Sequence, residues 1–312
     1  MADKQTGVYI YNAFVSCGCN VSVVDPLIDV GRIIPEINCF NPDMLFCARE
    51  ERILNEIIEV RRLYPDIITV CYNVDARHHA IEFGGTLLKL FDKFHIFYSK
   101  PKGMIEDYKN HCPNTIVKYL LEGIDPLEHK MEDISSEDEE KYGCDVSFMG
   151  TQSNVYKTPY GYGRIGLINF LLDKGVNIKL ISYNEYGNDR FLKEDHNKQC
   201  QCSKIVLGHC GWADISLANS ARDFRVTGAG GFLLTEHVKD IEEIFEIDKE
   251  CVTYKDPQEC YDKIIYYLNN EEERKKIAYN GYLRTQKDHT FKNRIEQVID
   301  DVNNLIIKIN KS

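Results

Sequence analysis

Short apolar runs of strand length alternate with helical patterns along almost the whole chain. That alternation constrains the fold more than any other feature, because strands separated by helices assemble as βαβ units around a parallel sheet. In the first half, Val21–Asp25, Asp43–Ala48, Ile67–Asn73, His95–Ser99 and Thr115–Leu121 read as strands. Between them Arg49–Tyr64 sets Ile53, Ile57, Val60 and Leu63 on one helical face, and His79–Phe91 does the same with Phe83, Leu87 and Leu90. The pattern fades over Glu122–Gly143, which carries helix-disfavouring Gly123 and Pro126 early and the acidic run Glu137–Glu140 later, and reads as a solvated linker. It restarts with strands Asp145–Met149, Asn177–Ser182, Lys204–Gly208, Gly231–Thr235 and Cys251–Tyr254, with a helix over Arg164–Lys174. Helices Asp256–Asn269, Glu271–Gln286 and Asn293–Ile309 close the chain.

The expectation is an α/β protein of two Rossmann-like, doubly wound domains: residues 1–123, an acidic linker 124–143, residues 144–290, and a closing helix 291–312. Two such domains leave an interdomain cleft, lined by loops at the carboxyl ends of their strands, where open α/β sheets bind ligands. A length of 312 residues exceeds what one core usually serves, and 43% apolar with 28% charged residues is the composition of a chain that packs. A net charge of -11 opposes general binding to nucleic acid. No apolar run reaches membrane-spanning length and the N-terminus lacks a signal-like pattern, so the expected location is cytoplasmic. Cysteines lie in apolar runs such as Met44–Cys47, and most of the twelve read as reduced core thiols.

The most informative segment is Ser220–Glu236, SARDFRVTGAGGFLLTE. A glycine cluster ahead of a buried strand lets backbone approach a ligand, and amides at a nearby helix N-terminus suit a phosphate. The same cluster also fits a tight turn packed between strand and helix. His196, Cys200, Cys202, His209 and Cys210 are ligand types that zinc prefers, but Cys200-x-Cys202 lacks the two-residue knuckle spacing, and no metal site is expected.

Ser220–Glu236 resembles the C-terminal domain of the CgeB-like (spore-maturation type) glycosyltransferases, in which an R-x-F-E run leads to G-G-F-L-L-T-E. The resemblance continues through Tyr254-Lys-Asp-Pro, the helix Tyr261–Leu268, Glu272–Gly281 and His289–Arg294. Upstream it takes in Asp145–Gly150, Arg164 and Ser203–Leu207. It implies a GT-B fold that transfers a sugar from a nucleotide-diphosphate sugar to a glycan, lipid or protein acceptor. The donor is a substrate, and neither cofactor nor metal is implied, in keeping with the lack of an Asp-x-Asp run in the chain.

In such a site Gly150 and Thr151 approach the donor phosphates, Arg164, Lys204 and Arg222 neutralise them, and Gly228, Gly230 and Gly231 admit the diphosphate. Glu236 is the candidate for holding the ribose hydroxyls. Each cation taken singly is as readily a surface ion pair. One residue departs from the pattern: the glutamate of R-x-F-E is here Arg225, a fixed cation with donors only.

In the first half, Gly7–Phe14 and Cys19–Val23 look like the family's first helix and second strand, without the strand and glycine turn that normally come before them. Tyr72–His79 lies where family members carry an aspartate after an apolar strand. Asp75 is the candidate catalytic base that takes the acceptor's proton, with His78 and His79 next. Asp75 is equally suited to capping a helix. A non-catalytic relative that binds a nucleotide, a glycan or a protein partner is the alternative, motivated by Arg225 and the absent first strand.

Overall fold

A computed structural model describes residues 4–25, 30–48, 53–74, 86–150, 163–181 and 195–311. The chain forms two compact units, Met1–Glu122 with Phe291–Ser312, and Gly123–Thr290. Among the described residues no helix is long and apolar enough to cross a membrane.

In the first unit helices α1 (Lys4–Ser16) and α2 (Ile33–Phe40) precede a parallel sheet of β1 (Met44–Ala48), β2 (Ile68–Asn73), β3 (Ile96–Ser99) and β4 (Ile116–Tyr119). The strands lie side by side in sequence order. Helices α3 (Leu54–Leu63), α4 (Thr86–Phe91) and α5 (Ile105–His111) fall between them along the chain. Every residue of β2 is buried, as a strand covered on both faces must be. Val70, Tyr72, Ile96 and Tyr98 pack against Tyr9, Ile10 and Phe14 of α1 and against Phe291, Ile295 and Val298 of the closing helix, Phe291–Ile309. Asp301 of that helix accepts hydrogen bonds from Tyr98 (2.7 Å) and Lys118 (2.6 Å), so the last helix of the chain folds with its first unit.

Val21–Asp25 is not a strand: these residues have no regular structure, and Val23 is 68% exposed. A strand needs a neighbouring backbone to pair with, and among the described residues β1 pairs only with β2.

In the second unit α6 (Ser136–Tyr142) takes in the acidic run, which is therefore helical and not a plain linker, with Glu137, Glu139 and Glu140 exposed to solvent. Ser135 and Asp138 form a reciprocal capping box, and Lys198 binds Asp138 at 2.9 Å. Hydrogen bonds from Lys198 and then Ser135 hold the Asp138 carboxyl down at about 2. The five-stranded parallel sheet comprises β5 (Cys144–Met149), β6 (Ile178–Ile181), β7 (Ser203–Leu207), β8 (Leu233–Glu236) and β9 (Val252–Tyr254), in the order β6-β5-β7-β8-β9.

Helices α7 (Arg164–Asp173), α8 (His196–Cys202), α9 (Ala221–Gly228), α10 (Pro257–Asn269) and α11 (Glu271–Asp288) complete the unit. Val146, Phe148, Ile205, Leu207 and Leu234 share one core with Leu167 and Leu171 of α7 and with Cys260 and Ile264 of α10. The chain leaves β5 toward β6 on one side and returns to β7 on the other. That reversal is the switch point of the sheet, beyond whose carboxyl strand ends open α/β sheets bind their ligands.

Candidate functional site

At the switch point β5 ends in Gly150 and β7 runs on into Gly208 and His209. Gly150 has φ +155°, a value that side chains rarely allow, and donates its N–H to the Ile181 carbonyl at 3.0 Å. Beside it stands the N-terminus of α9, where the Ser220 hydroxyl caps the helix by accepting from the Arg222 N–H at 3.3 Å.

Arg222, in the first turn of α9 and only 9% exposed, donates from Nε to the Met149 carbonyl at 2.8 Å and from Nη1 to the His209 carbonyl at 3.3 Å. Arg164, the first residue of α7, reaches the same His209 carbonyl from Nη2 at 3.5 Å. Both guanidiniums lie against the Phe148 ring, 5.1 and 5.4 Å from its centre. A ring face and a carbonyl oxygen are each weakly negative, and they let two cations converge in a place poor in solvent. Such a pair has a strong appetite for an anion.

Glu236 closes β8 and is fully buried. One carboxylate oxygen, Oε2, accepts from the N–H groups of Cys210 (3.1 Å) and Gly211 (3.0 Å), and the His209 ring lies alongside with Nδ1 2.8 Å away. Gly211, at φ +87°, lets the loop wrap around the carboxylate. Among the described residues Oε1 has no hydrogen-bond partner. The Cys210 thiol donates to the Ala218 carbonyl at 2.7 Å and so ties this loop to the entry of α9. The next residue, Asn219, is fully buried, and among the described residues neither atom of its amide has a partner.

Gly150, Arg164, Arg222 and Glu236 are thus brought to the carboxyl ends of β5, β7 and β8. Lys204 is not. The pairing of Cys144 with Ser203 puts it at the amino end of β7, where it is 52% exposed and bound to Asp145 at 2.7 Å. The glycine cluster does not join the site either, because it turns the chain from the end of α9 into the amino end of β8.

A Cβ on Gly228 would stand 2.8 Å from Ile124 Cδ1, one on Gly230 2.7 Å from Met131 Cγ, and one on Gly231 3.0 Å from Cys200 Cβ. Protein fills the space each glycine leaves, as in a packed turn. Asp75, His78, His79 and Thr151 lie outside the described residues. Phe148, His209 and Asn219 were missed as site residues by sequence reasoning; the only sequence signal was their place directly at a strand end or before a helix cap.

Arg225 is half-buried on α9, close enough to His129 and His196 to act on both. Burial first, and the Arg225 charge second, hold the His196 imidazole down at about 4 and that of His129 well below its ordinary value. His196 lies beside the Cys200 thiol, with 3.8 Å between Sγ and Nδ1. Among the described residues no three His, Cys, Asp or Glu side chains converge as a metal site.

The family described as glycosyl transferase-like matches residues 148–300. Similar solved structures include HepE of Anabaena in complex with UDP and glucose, which is 14% identical, covers 88% of this chain and 81% of HepE, and has a TM-score of 0.63. A glycosyltransferase from Rickettsia africae is 10% identical over 93% of this chain and 84% of its own, with a TM-score of 0.60. Sucrose-phosphate synthase from Thermosynechococcus elongatus is 7% identical over 89% and 77%, with a TM-score of 0.59. Comparison with curated proteins finds no match. The chain therefore has the GT-B fold, and its residues 148–300 are similar to the glycosyl transferase-like family.

Proposed function

We propose that this protein is a metal-independent hexosyltransferase of the CgeB-like type, which moves a sugar from a nucleotide-diphosphate sugar to a glycan, lipid or protein acceptor. The observation that carries the reading is the convergence of Arg164 and Arg222 on Phe148 and the His209 carbonyl, beside Gly150 and the N-terminus of α9. In the reaction the bond between the anomeric carbon and a diphosphate oxygen breaks, the acceptor oxygen bonds to that carbon, and the acceptor's proton passes to a base. The departing nucleoside diphosphate gains negative charge, and two guanidiniums with a helix N-terminus stabilise it where other transferases use a metal ion.

In this reading Glu236 Oε1, whose fellow oxygen is fixed, accepts from a donor hydroxyl. Asp75, two residues beyond β2 in the sequence, is the proposed base, with His78 and His79 behind it. HepE was solved with UDP and with UDP-glucose, which makes uridine donors the first to try.

The test measures melting temperature against UDP concentration and free UDP released from UDP-glucose with a panel of acceptors. A ligand that binds only the native state at a hundred times its Kd stabilises by about 2.7 kcal/mol, an easily read shift. If millimolar UDP, GDP, dTDP and ADP all leave the melting temperature unchanged, the donor site is refuted. Arg225 favours a second reading, a non-catalytic nucleotide or glycan binder, because it sets a cation where the resemblance expects a carboxylate. Binding without release of nucleoside diphosphate from any donor would establish that reading instead.

A further inference from the structure

We propose that Asn219 is a specificity-determining residue that, with Glu236, receives a vicinal diol of the bound donor. This rests on the donor-site reading above. Asn219 is fully buried, yet among the described residues neither its Nδ2 nor its Oδ1 has a hydrogen-bond partner. Glu236 is fully buried with Oε2 held by the N–H groups of Cys210 and Gly211, while among the described residues Oε1 has no partner. Buried polar groups in native proteins nearly always find partners, so two orphans on adjoining loops call for a ligand that supplies them. The loops do adjoin: Cys210, whose N–H holds Glu236, also holds the carbonyl of Ala218, the residue before Asn219.

The chemistry of the two groups defines what they take. A carboxylate oxygen accepts only, whereas a carboxamide both donates and accepts. Together they suit adjacent hydroxyls, one donating to Glu236 while the other exchanges hydrogen bonds with the amide. The anion site is next to them, since Arg222 follows Asn219 by three residues and binds the carbonyl of His209, whose imidazole faces Glu236. A diol attached to a diphosphate is present twice in a nucleotide sugar, on the ribose and on the transferred sugar.

Asn219→Leu tests the assignment because it keeps the branched skeleton of four side-chain heavy atoms, at a larger volume, and deletes the unsatisfied amide. A residue retained for a ligand at the expense of the fold gives an unusual signature when removed. The ligand-free variant should melt about 2–4 °C or more above the wild type, since an orphaned buried amide no longer opposes folding. Its affinity for UDP-glucose should fall at least about tenfold, the loss of roughly one good hydrogen-bonded contact. Inorganic pyrophosphate, which needs only the arginines, should bind both proteins alike.

UDP distinguishes the two diols. An equal loss for UDP and UDP-glucose assigns Asn219 to the ribose, and a loss confined to UDP-glucose assigns it to the transferred sugar. Unchanged UDP-glucose affinity in a folded Asn219→Leu protein overturns the proposal. Asn219→Ala carries the same comparison should leucine disturb the fold, and loss of the fold in both variants would make Asn219 structural and overturn it equally. Wild-type protein that binds none of the three probes would instead overturn the donor site itself.

Discussion

Gly150→Ala separates an arginine cradle for phosphate from a mere packing turn. At φ +155° the backbone of residue 150 is in a region that alanine tolerates only under strain, about 1–3 kcal/mol. The new methyl would also lie 2.5 Å from Arg222 Nη2, against an ordinary contact of 3.4–4 Å, so the guanidinium must move by about 0.9 Å or the strand end must shift. Either change weakens the 2.8 Å bond from Arg222 to the Met149 carbonyl and moves the cation away from the place it shares with Arg164.

Hydrogen bonds to charged groups contribute about 1.5–3 kcal/mol, and the expected loss of UDP affinity is therefore roughly ten- to a hundredfold. Gly230→Ala is the control. Residue 230 has φ +81° and its methyl would meet Met131 Cγ at 2.7 Å, far along α9 from the arginines. It should lose comparable stability, about 2–4 °C in melting temperature per kcal/mol, and keep wild-type UDP affinity. Calorimetric titration with UDP beside melting curves reads both quantities. A folded Gly150→Ala protein that binds UDP as tightly as wild type refutes the cradle.

Stability should fall in acid through His196. Its imidazole titrates at about 4 in the fold and at 6.5 in the unfolded chain, so below 6.5 the unfolded state binds more protons; stability is full above that pH and about 2 kcal/mol lower at pH 5. His129 shifts in the same direction. His196→Gln should flatten the decline in urea midpoints, and a wild-type midpoint that is constant from pH 7 to 5 contradicts this account. Asp75→Asn should reduce sugar transfer by about 10²–10⁴-fold with the UDP melting shift intact; transfer within about threefold of wild type would mark a helix cap, which asparagine serves equally well. Lys204→Ala should leave UDP affinity unchanged and stability altered by less than about 1 kcal/mol, as for an exposed ion pair, and weakened UDP binding would return Lys204 to the site. Transfer should persist in EDTA, and its loss with recovery on adding manganese would contradict a metal-free mechanism.

The sequence by itself determined the α/β class, nine strands to within one or two residues of their ends, and the part of the chain that carries the site. Periodicity reports which face of a segment is buried, and that is settled locally. It failed at Val21–Asp25, which has the composition of a strand but no partner, and at the acidic run, where charge density masked the Ser135–Asp138 capping box.

Which glycines and cations come together at the strand ends was decided by the tertiary structure alone. Gly150 and Gly230 look alike in the sequence, yet one ends β5 against Arg222 and the other turns the chain beneath Met131. Arg164, Lys204 and Arg222 read as equivalent cations, but only two of them share Phe148, because the parallel register sends Lys204 to the far end of its strand. The Glu236 carboxylate and the Asn219 amide likewise gain their meaning from burial and from the partners they lack. A residue's identity specifies the charge or hydrogen bonds it can offer. Strand order and direction decide which end of the sheet it reaches, and the site is assembled there.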